Sequence, residues 1–489
     1  MTTDAFAKLD AVGQAALVRS RQVKPSELVE AAIRRIEAGN TALNAVIHPA
    51  FEQGLDRARR LDAAHTDFDD DTPPLLGVPF LMKDLGGQEA GRPFHMGIRA
   101  LKQAGWVAAE DSWFTQRLNA AGVVSVGRTN TPELGLMPTT EPLAWGPTRN
   151  PWDPARSPGG SSGGASAAVA AGFVPAAHAS DGGGSIRTPA AHTGLVGLKP
   201  TRGRSSFGPG AGERWGGFSC ELVVSHSVRD TAAFLDAVHG RMPGDPYAAE
   251  PPGRPYAAQL GLPVRPLRIG LMTRAPGGGI EVHPDCREAA ESAARVLAGL
   301  GHIVETSHPD ALDDPGNIWH YITVVGCSVA RALEQTAEKI GRGLTRDDVE
   351  PLTWALAELA ATLPATKYIA SIEAVHLLGR RMEAWWQGGF DLLLTPTTAQ
   401  PAPLLGALDP GGDDPIAGWV RSAPYGCFTS PFNQTGQPAI SLPLHFGASG
   451  VPVGTQLVAS FGREDLLLRV AAQLEQAAPW RDRRVPGSV

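Results

Sequence analysis

Hydrophobic residues recur at helical spacing in one early segment and form short continuous runs in several later ones. In KPSELVEAAIRRIEAGN (24–40) the apolar positions from Leu28 to Ile36 share one helical face, and Pro25 suits a first turn. The runs LLGVPFLMKD, AAGVVSVGRTN, RIGLMT and FDLLLTPTT are instead short and apolar, which is typical of buried strands. Because helical segments alternate with such runs, the pattern predicts an α/β fold.

The same pattern predicts one large domain over residues 1–489. We expect N-terminal helices over about 1–65 and a helical insert over about 317–390, where glycines are few. The Pro-rich stretch 241–267 is expected to be a surface connection, and the acidic stretch 65–74 an exposed loop. Apolar runs on both sides of 241–267 look equally buried, so we predict no domain boundary there.

Composition and charge argue against several classes of partner. The 489 residues include 43 basic and 50 acidic side chains, a formal net charge of −7, which does not favour nucleic acid as the main partner. No signal peptide or membrane span is visible, and we expect a cytoplasmic enzyme. The four cysteines form no CxxC pair, so neither a zinc site nor a redox dithiol is indicated. We predict no cofactor.

Lys83 is the first candidate for chemistry. Its position at the end of the run Val78-Pro-Phe-Leu-Met82 predicts a desolvated amine with a lowered pKa, able to act as a base. The alternative is a structural lysine that reaches solvent at the strand end or pairs with Asp84.

Two glycine-rich blocks each carry a serine that could react. In SPGGSSGGASAAVAAG (157–172) the pattern GxSxG occurs at both Ser161 and Ser162, but the preceding TRNPWDPARSP predicts a loop, which excludes a strand-to-helix nucleophile elbow. The remaining alternative, a flexible linker, disagrees with the helix that ASAAVAA predicts directly afterwards.

The second block is SDGGGSIR, in which Gly182 to Gly184 precede Ser185. Successive glycine N–H groups can form a concavity for an oxyanion, and a Cβ there would block an approaching acyl carbonyl. The alternative is a glycine-rich turn whose serine caps a helix. A phosphate loop is disfavoured because the chain contains no Gly-Lys dipeptide.

Together these blocks resemble the amidase signature family of serine hydrolases. The similarity includes GVPFLMKD, GGSSGG and GGSIR, and continues through AHTGLVGLKPTRGR, NQTGQPAISLP and GVPVGTQLVA over essentially the whole chain. The resemblance implies an α/β amidase signature fold, with a large mixed β-sheet core covered by helices on both faces. It also implies hydrolysis of amide bonds through an acyl-enzyme.

Site residues follow from the resemblance at matching positions. It implies that Ser185 attacks the amide carbonyl, that Ser161 relays the proton after a cis Gly160–Ser161 peptide, and that neutral Lys83 accepts it. The implied oxyanion hole consists of the backbone N–H groups of Gly182, Gly183, Gly184 and Ser185.

The block before Ser185 departs from the commoner family wording, Gly-Thr-Asp-Thr-Gly-Gly-Ser. Ser180 keeps a hydroxyl, so we expect it to keep a polar role. Gly182 stands where a side chain is common, which predicts an acyl site widened for a bulkier group. Asp181 and Arg187 are expected to pair and hold the loop.

Within the family, the closer resemblance is to hydrolases of cyclic amides, which implies a pocket for small, largely uncharged amides. The candidate substrate contacts, each with core packing as the alternative, are Trp215, Phe218, Tyr321, Cys327, Tyr425 and Phe428. The implied partner is a small-molecule amide, with no nucleic acid, no membrane and a homodimer left open.

Other classes of function stay open at this point. The chain could be the glutaminase subunit of a tRNA-dependent amidotransferase, or a non-catalytic protein that binds amides. A histidine base is disfavoured, because His178 and His192 lie in Ala-rich surroundings typical of packed core residues. A metal hydrolase is disfavoured because no HExxH motif occurs.

Overall fold

The computed structural model describes residues 5–64, 69, 72–411 and 413–486. Most of the predicted acidic loop 65–74 therefore lies outside the described residues. Within them, no helix has both the length and the apolar character needed to cross a membrane.

Eleven strands of the described chain form one sheet. They are β1 (Val46–Pro49), β2 (Pro79–Lys83), β3 (Val124–Thr129), β4 (Ala176–Asp181), β5 (Val196–Lys199), β6 (Cys220–Ser225), β7 (Arg268–Leu271), β8 (Ile303–Thr306), β9 (Leu392–Pro396), β10 (Ala439–Phe446) and β11 (Pro452–Ala459). Their order across the sheet is β1-β3-β2-β4-β6-β5-β10-β11-β9-β7-β8. Parallel pairs such as β2 with β3 occur beside antiparallel pairs such as β4 with β6, so the predicted large mixed sheet is confirmed.

The described chain also contains fifteen α-helices, which lie between and around the strands along the sequence. They are α1 (Ala11–Arg19), α2 (Pro25–Leu43), α3 (Phe51–Ala64), α4 (Arg99–Gln103), α5 (Trp113–Ala120), α6 (Gly163–Ala170), α7 (Arg187–Thr193), α8 (Val228–Val238), α9 (Pro284–Gly299), α10 (Asn317–Ile340), α11 (Pro351–Ala361), α12 (Ala365–Gln387), α13 (Pro415–Val420), α14 (Ser430–Thr435) and α15 (Glu464–Ala477).

Local hydrophobic patterns account for most of these elements. The predicted amphipathic helix is α2, with Pro25 in its first turn, and the predicted buried strands are β2, β3, β7 and β9. Between residues 317 and 390 the described elements are mainly α10, α11 and α12. The strands without a counterpart among the predicted runs include β5, β6, β1, which interrupts the N-terminal helices, and β4, which leads into SDGGGSIR.

The middle of the sheet brings the candidate residues together. Strands β2 and β4 are parallel neighbours, with Phe80 opposite Ala176, so their carboxyl ends lie at the same edge. Lys83 ends β2 and Asp181 ends β4. Because parallel strands place their carboxyl ends on one side, Lys83 and Asp181 meet there although they are 98 positions apart in sequence.

Candidate active site

Lys83 lies inside the protein with its amine among serine hydroxyls. Its side chain is fully buried, and Nζ lies 2.7 Å from Ser161 Oγ and 2.9 Å from Ser180 Oγ. The alternative of a lysine that reaches solvent is therefore wrong. Pairing with Asp84 is also not what the structure shows, because Asp84 accepts the His95 N–H and faces Arg128. The hydroxyl of Ser180 keeps the polar role expected of it.

The loop before α6 holds Ser161 against the amine. The Gly160–Ser161 peptide is cis, as the family resemblance implied, and α6 begins two residues later at Gly163. The next residue, Ser162, connects this loop to β4 and to the turn that follows β4. Its N–H donates to the Ser185 carbonyl at 3.3 Å, and its hydroxyl donates to the Ser180 carbonyl at 3.2 Å. Both glycine-rich blocks thus meet at the end of β4.

The turn from β4 to α7 is organised around the buried carboxylate of Asp181. Arg187 donates to it through Nε at 3.0 Å and through Nη2 at 2.9 Å, so the expected pair is present. The N–H groups of Gly184 and Ile186 also donate to this carboxylate, at 2.7 and 3.1 Å. Ser185 lies between these two anchored residues.

One of these bonds corrects the implied oxyanion hole. The Gly184 N–H donates to Asp181 and is not free for a substrate oxygen, because one N–H has one hydrogen to give. The candidate donors that remain are the N–H groups of Gly182, Gly183 and Ser185.

The three glycines are required for a reason other than the one expected. A Cβ placed on each would come within 3 Å of a protein side chain: the Trp215 ring at Gly182, the Tyr321 hydroxyl at Gly183, and the Thr429 hydroxyl at Gly184. Gly184 also has φ +137°, which side chains rarely adopt. A neighbouring side chain thus occupies the space beside each glycine, although Gly182 still lines the larger of two nearby cavities and Gly183 and Gly184 line the smaller one. The widening of the acyl site by Gly182 stays a prediction.

Burial tunes the titrating groups around Lys83. Burial lowers the pKa of Lys83 to about 7, although the carboxylates of Asp181 and Glu221 act in the opposite direction. Burial raises the pKa of Glu221 to about 7, against the influence of Arg214. Burial also holds the pKa of His178 well below its usual range, and its Nδ1 accepts the Lys83 backbone N–H at 3.3 Å. His178 is a core residue, as expected.

Two cavities meet at Ser185. One has a volume of about 400 Å³ and is lined mainly by apolar groups; its acidic residues Asp313 and Asp314 are each paired with an arginine. The other has a volume of about 940 Å³ and includes Ser161 in its wall. Its charged lining residues are Glu110, Glu213, Arg214, Glu221, Arg331, Glu338 and Lys339. An amide bond at Ser185 could therefore extend into two chemically different spaces.

The predicted substrate contacts divide into two groups. Trp215 lines both cavities, Tyr321 and Tyr425 line the smaller one, and Cys327 lines the larger one. For two residues the predicted substrate contact is wrong, because they line neither cavity. Phe218 is fully buried and stacks on Tyr321, with ring centroids 5.7 Å apart. Phe428 packs in an apolar cluster with Cys286 and Ala399.

Several residues around the site were missed by sequence reasoning. Thr429 Oγ1 donates to the Gly183 carbonyl at 2.7 Å, and Asn433 Nδ2 donates to the Asp181 carbonyl at 2.9 Å. Both flank or belong to α14, inside the stretch YGCFTSPFNQTGQPAISLP, so the similarity of that stretch to the family was the available signal. Trp419, which lines the smaller cavity, lies in no stretch that had been singled out.

In the described part of the chain, His48, Asp84 and His95 form a group whose possible ligand atoms lie within 4.8 Å of one another. Asp84 Oδ1 accepts the His95 N–H at 3.0 Å and lies 3.6 Å from Arg128 Nε. A guanidinium that already faces this carboxylate would repel a metal ion. The cluster therefore gives no support to a cofactor at this site.

Comparison with known proteins places this geometry in context. The family model described as Amidase matches residues 27–468. The chain is 44% identical to the 6-aminohexanoate-cyclic-dimer hydrolase of Pseudomonas sp. (strain NK87) over 484 residues, which cover 97% of this chain and 96% of that protein.

Solved structures show the same similarity. A 6-aminohexanoate cyclic dimer hydrolase complexed with substrate superposes with a TM-score of 0.93 at 42% identity, covering 98% of this chain and 99% of the other. A bacterial aryl acylamidase of the amidase signature enzymes superposes with a TM-score of 0.85 at 30% identity, covering 96% of each chain.

Proposed function

The chain belongs to the amidase family and hydrolyses amide carbon–nitrogen bonds, and on that premise we propose that Ser185, Ser161 and Lys83 are its catalytic triad. The match to the family model confirms the family resemblance predicted from the sequence. We propose that the whole chain acts as one amidase unit. The observation that carries the proposed triad is the buried Lys83 amine, 2.7 Å from Ser161 Oγ.

In the proposed acylation step, Ser185 Oγ forms a bond to the amide carbon and gives its proton to Ser161. Ser161 passes its own proton to the lone pair of neutral Lys83. The carbon–nitrogen bond then breaks, its electron pair leaves with the nitrogen, and the proton returns through Ser161 to that nitrogen. Water repeats the sequence on the acyl-enzyme, which releases the acid and restores the Ser185 hydroxyl.

Negative charge develops on the carbonyl oxygen during each addition. The proposed donors are the N–H groups of Gly182, Gly183 and Ser185, at the turn that Asp181 and Arg187 hold. Preorganised backbone donors stabilise such an oxyanion because they need no reorientation when the charge forms.

We propose that the substrate is a small, largely uncharged amide, with cyclic amides included. The support is the similarity over 97% of the chain to a 6-aminohexanoate-cyclic-dimer hydrolase, together with a mainly apolar cavity of about 400 Å³ beside Ser185. This similarity does not favour the glutaminase subunit or a non-catalytic amide binder. Cytoplasmic location and a homodimer stay predictions.

The test is a hydrolysis screen of linear, aryl and cyclic amides and of glutamine, with the wild type and Ser185→Ala. We expect hydrolysis of uncharged amides and a loss in Ser185→Ala of at least about 1,000-fold in kcat, the scale seen when a nucleophile is removed. The matched control is Ser166→Ala, a buried serine in the interior of α6, which should keep wild-type activity.

Two outcomes would contradict the proposal. Activity that survives in Ser185→Ala would remove the proposed nucleophile. Activity confined to glutamine would favour the glutaminase subunit instead.

A further inference from the structure

The two cavities share a small set of residues at their junction. Gly135, Ser185 and Trp215 line both of them. Among these three, only Trp215 has a large side chain, so its indole is the group with enough bulk to separate the two spaces at the nucleophile.

If the proposed function holds, the proton relay places the acyl half of the substrate in one cavity and the amine half in the other. Ser161 and Ser180 line the larger cavity, whereas Gly183 and Gly184 line the smaller one. The leaving nitrogen must receive a proton from Ser161, so the amine half faces the larger, charged cavity. The acyl half is then left with the smaller, apolar cavity.

Trp215 is placed at this junction by its contact with Gly182. A Cβ at Gly182 would lie 2.7 Å from Cε3 and 2.9 Å from Cζ3 of the indole, so the ring lies directly on the glycine. The backbone of Trp215 has φ +54°, and its carbonyl accepts the Phe218 N–H at 3.1 Å, which closes a tight turn. Any side chain at position 182 would push the indole out of this position.

We propose that Trp215, seated on Gly182, is the partition between the acyl and amine halves of the substrate and limits the size of the acyl half. The absence of a side chain at Gly182 creates the room that the indole of Trp215 occupies. Removal of the indole joins the two cavities, and a methyl group at position 182 displaces it.

The first experiment measures kcat/KM for p-nitroanilides of straight-chain, branched and aromatic carboxylic acids, a series in which only the acyl half changes. For Trp215→Ala we expect the ratio of kcat/KM for bulky over small acyl groups to rise by at least about tenfold, the smallest usual effect of one methylene group in a hydrophobic pocket. Trp215→Phe, which keeps a smaller ring, should give an intermediate ratio. A parallel acetamide series with varied amines should change less.

The second experiment is a double-mutant cycle with Gly182→Ala. We expect Gly182→Ala alone to change the acyl-size ratio, and to change it much less in the Trp215→Ala background, because the displaced indole is then already absent. The matched control is Trp354→Ala, which removes an indole from α11 that lines neither cavity and should leave the ratio unchanged. Thermal unfolding of every variant checks that it folds.

Binding supplies a readout that does not depend on turnover. Calorimetric titration of the same anilides into Ser185→Ala and into Ser185→Ala/Trp215→Ala should show that bulky acyl groups bind tighter when the indole is absent. Additive effects of Trp215→Ala and Gly182→Ala, or a change confined to the amine series, would overturn the partition. If the wild type hydrolyses no amide, the proposed function fails, and these titrations still decide the partition.

Discussion

At Lys83, burial and nearby charges act on the same amine in opposite directions. Burial is the larger influence and lowers its pKa to about 7, while Asp181 and Glu221 favour the ammonium form. Around pH 7 a large fraction of the amine is therefore neutral and has a lone pair for the Ser161 hydroxyl. A lysine with the ordinary pKa of about 10.4 would be almost entirely protonated at that pH and unable to accept.

The pH dependence of kcat/KM should report this amine. Because the neutral form is the base, kcat/KM should fall as the pH decreases through about 7, by about tenfold for each further pH unit. Glu221→Gln removes a negative charge that favours the ammonium, so this acidic limb should move to lower pH. The surface variant Glu288→Gln is the control and should leave the limb in place.

The pKa of Glu221 also lies at about 7. The acidic limb of the wild-type pH profile therefore reports Lys83 and Glu221 together, as a pair of interacting groups. A limb that stays in place, or moves to higher pH, in Glu221→Gln would contradict the assignment.

At the scale of elements, one ion pair joins a strand end to a helix start and to distant segments. Asp181 ends β4 and Arg187 begins α7, and neither side chain is exposed to solvent. Arg187 also donates to Asn433 Oδ1 in α14 at 2.6 Å and to Gln456 Oε1 in β11 at 2.8 Å. A single guanidinium thus fixes the turn that carries Ser185 against two other elements.

Removal of the Arg187 side chain should lower the stability of the folded protein. Arg187→Met leaves the Asp181 carboxylate buried without its cation, and we expect a loss of about 3–5 kcal/mol in the free energy of unfolding, measured by urea denaturation. Arg331→Met is the control, because Arg331 pairs with exposed glutamates on α10 and its loss should change the free energy of unfolding little. Equal losses in the two variants would show that the buried pair has no special weight.

At the scale of the whole molecule, the two ends of the described chain meet on α8. The backbone N–H groups of Ala11 and Val12 in α1 donate to Asp230 of α8 at 2.7 and 2.9 Å. Trp480, beyond α15, donates through its indole to the His226 carbonyl just before α8. Residues from both ends belong to the same apolar cluster as the central strands.

This continuity predicts one cooperative unfolding transition for the chain. Differential scanning calorimetry should show a single peak, because residues from both ends of the described chain share one apolar cluster with the central strands, and a second cluster around α10 and α11 packs beside it. Deletion of residues 1–19 should lower the temperature of the whole transition and not create a second one. Two resolved peaks in the full-length chain would contradict the prediction of one domain.

Much of the fold could be predicted because the physics involved is local. An apolar face that recurs every 3.6 residues makes α2 a helix in almost any context, and short apolar runs mark β2 and β3 in the same way. The candidate triad could also be predicted, since Lys83 ends a short apolar run and Ser161 and Ser185 each lie in a glycine-rich block.

The strand β1 is different, because it pairs with β3 about 80 residues later and has no apolar run of its own. For the same reason the sheet order could not be derived from sequence.

What the amino-acid sequence determined by itself is the chemistry that is available: an amine at a strand end, two hydroxyls in glycine-rich turns, and a buried α/β core. What only the tertiary structure decided is how the space around that chemistry is filled. Trp215 lies on Gly182, the Gly184 N–H is taken by Asp181, and Phe218 and Phe428 pack away from the cavities. These outcomes depend on contacts between side chains far apart in sequence, and such contacts leave no periodic pattern along the chain.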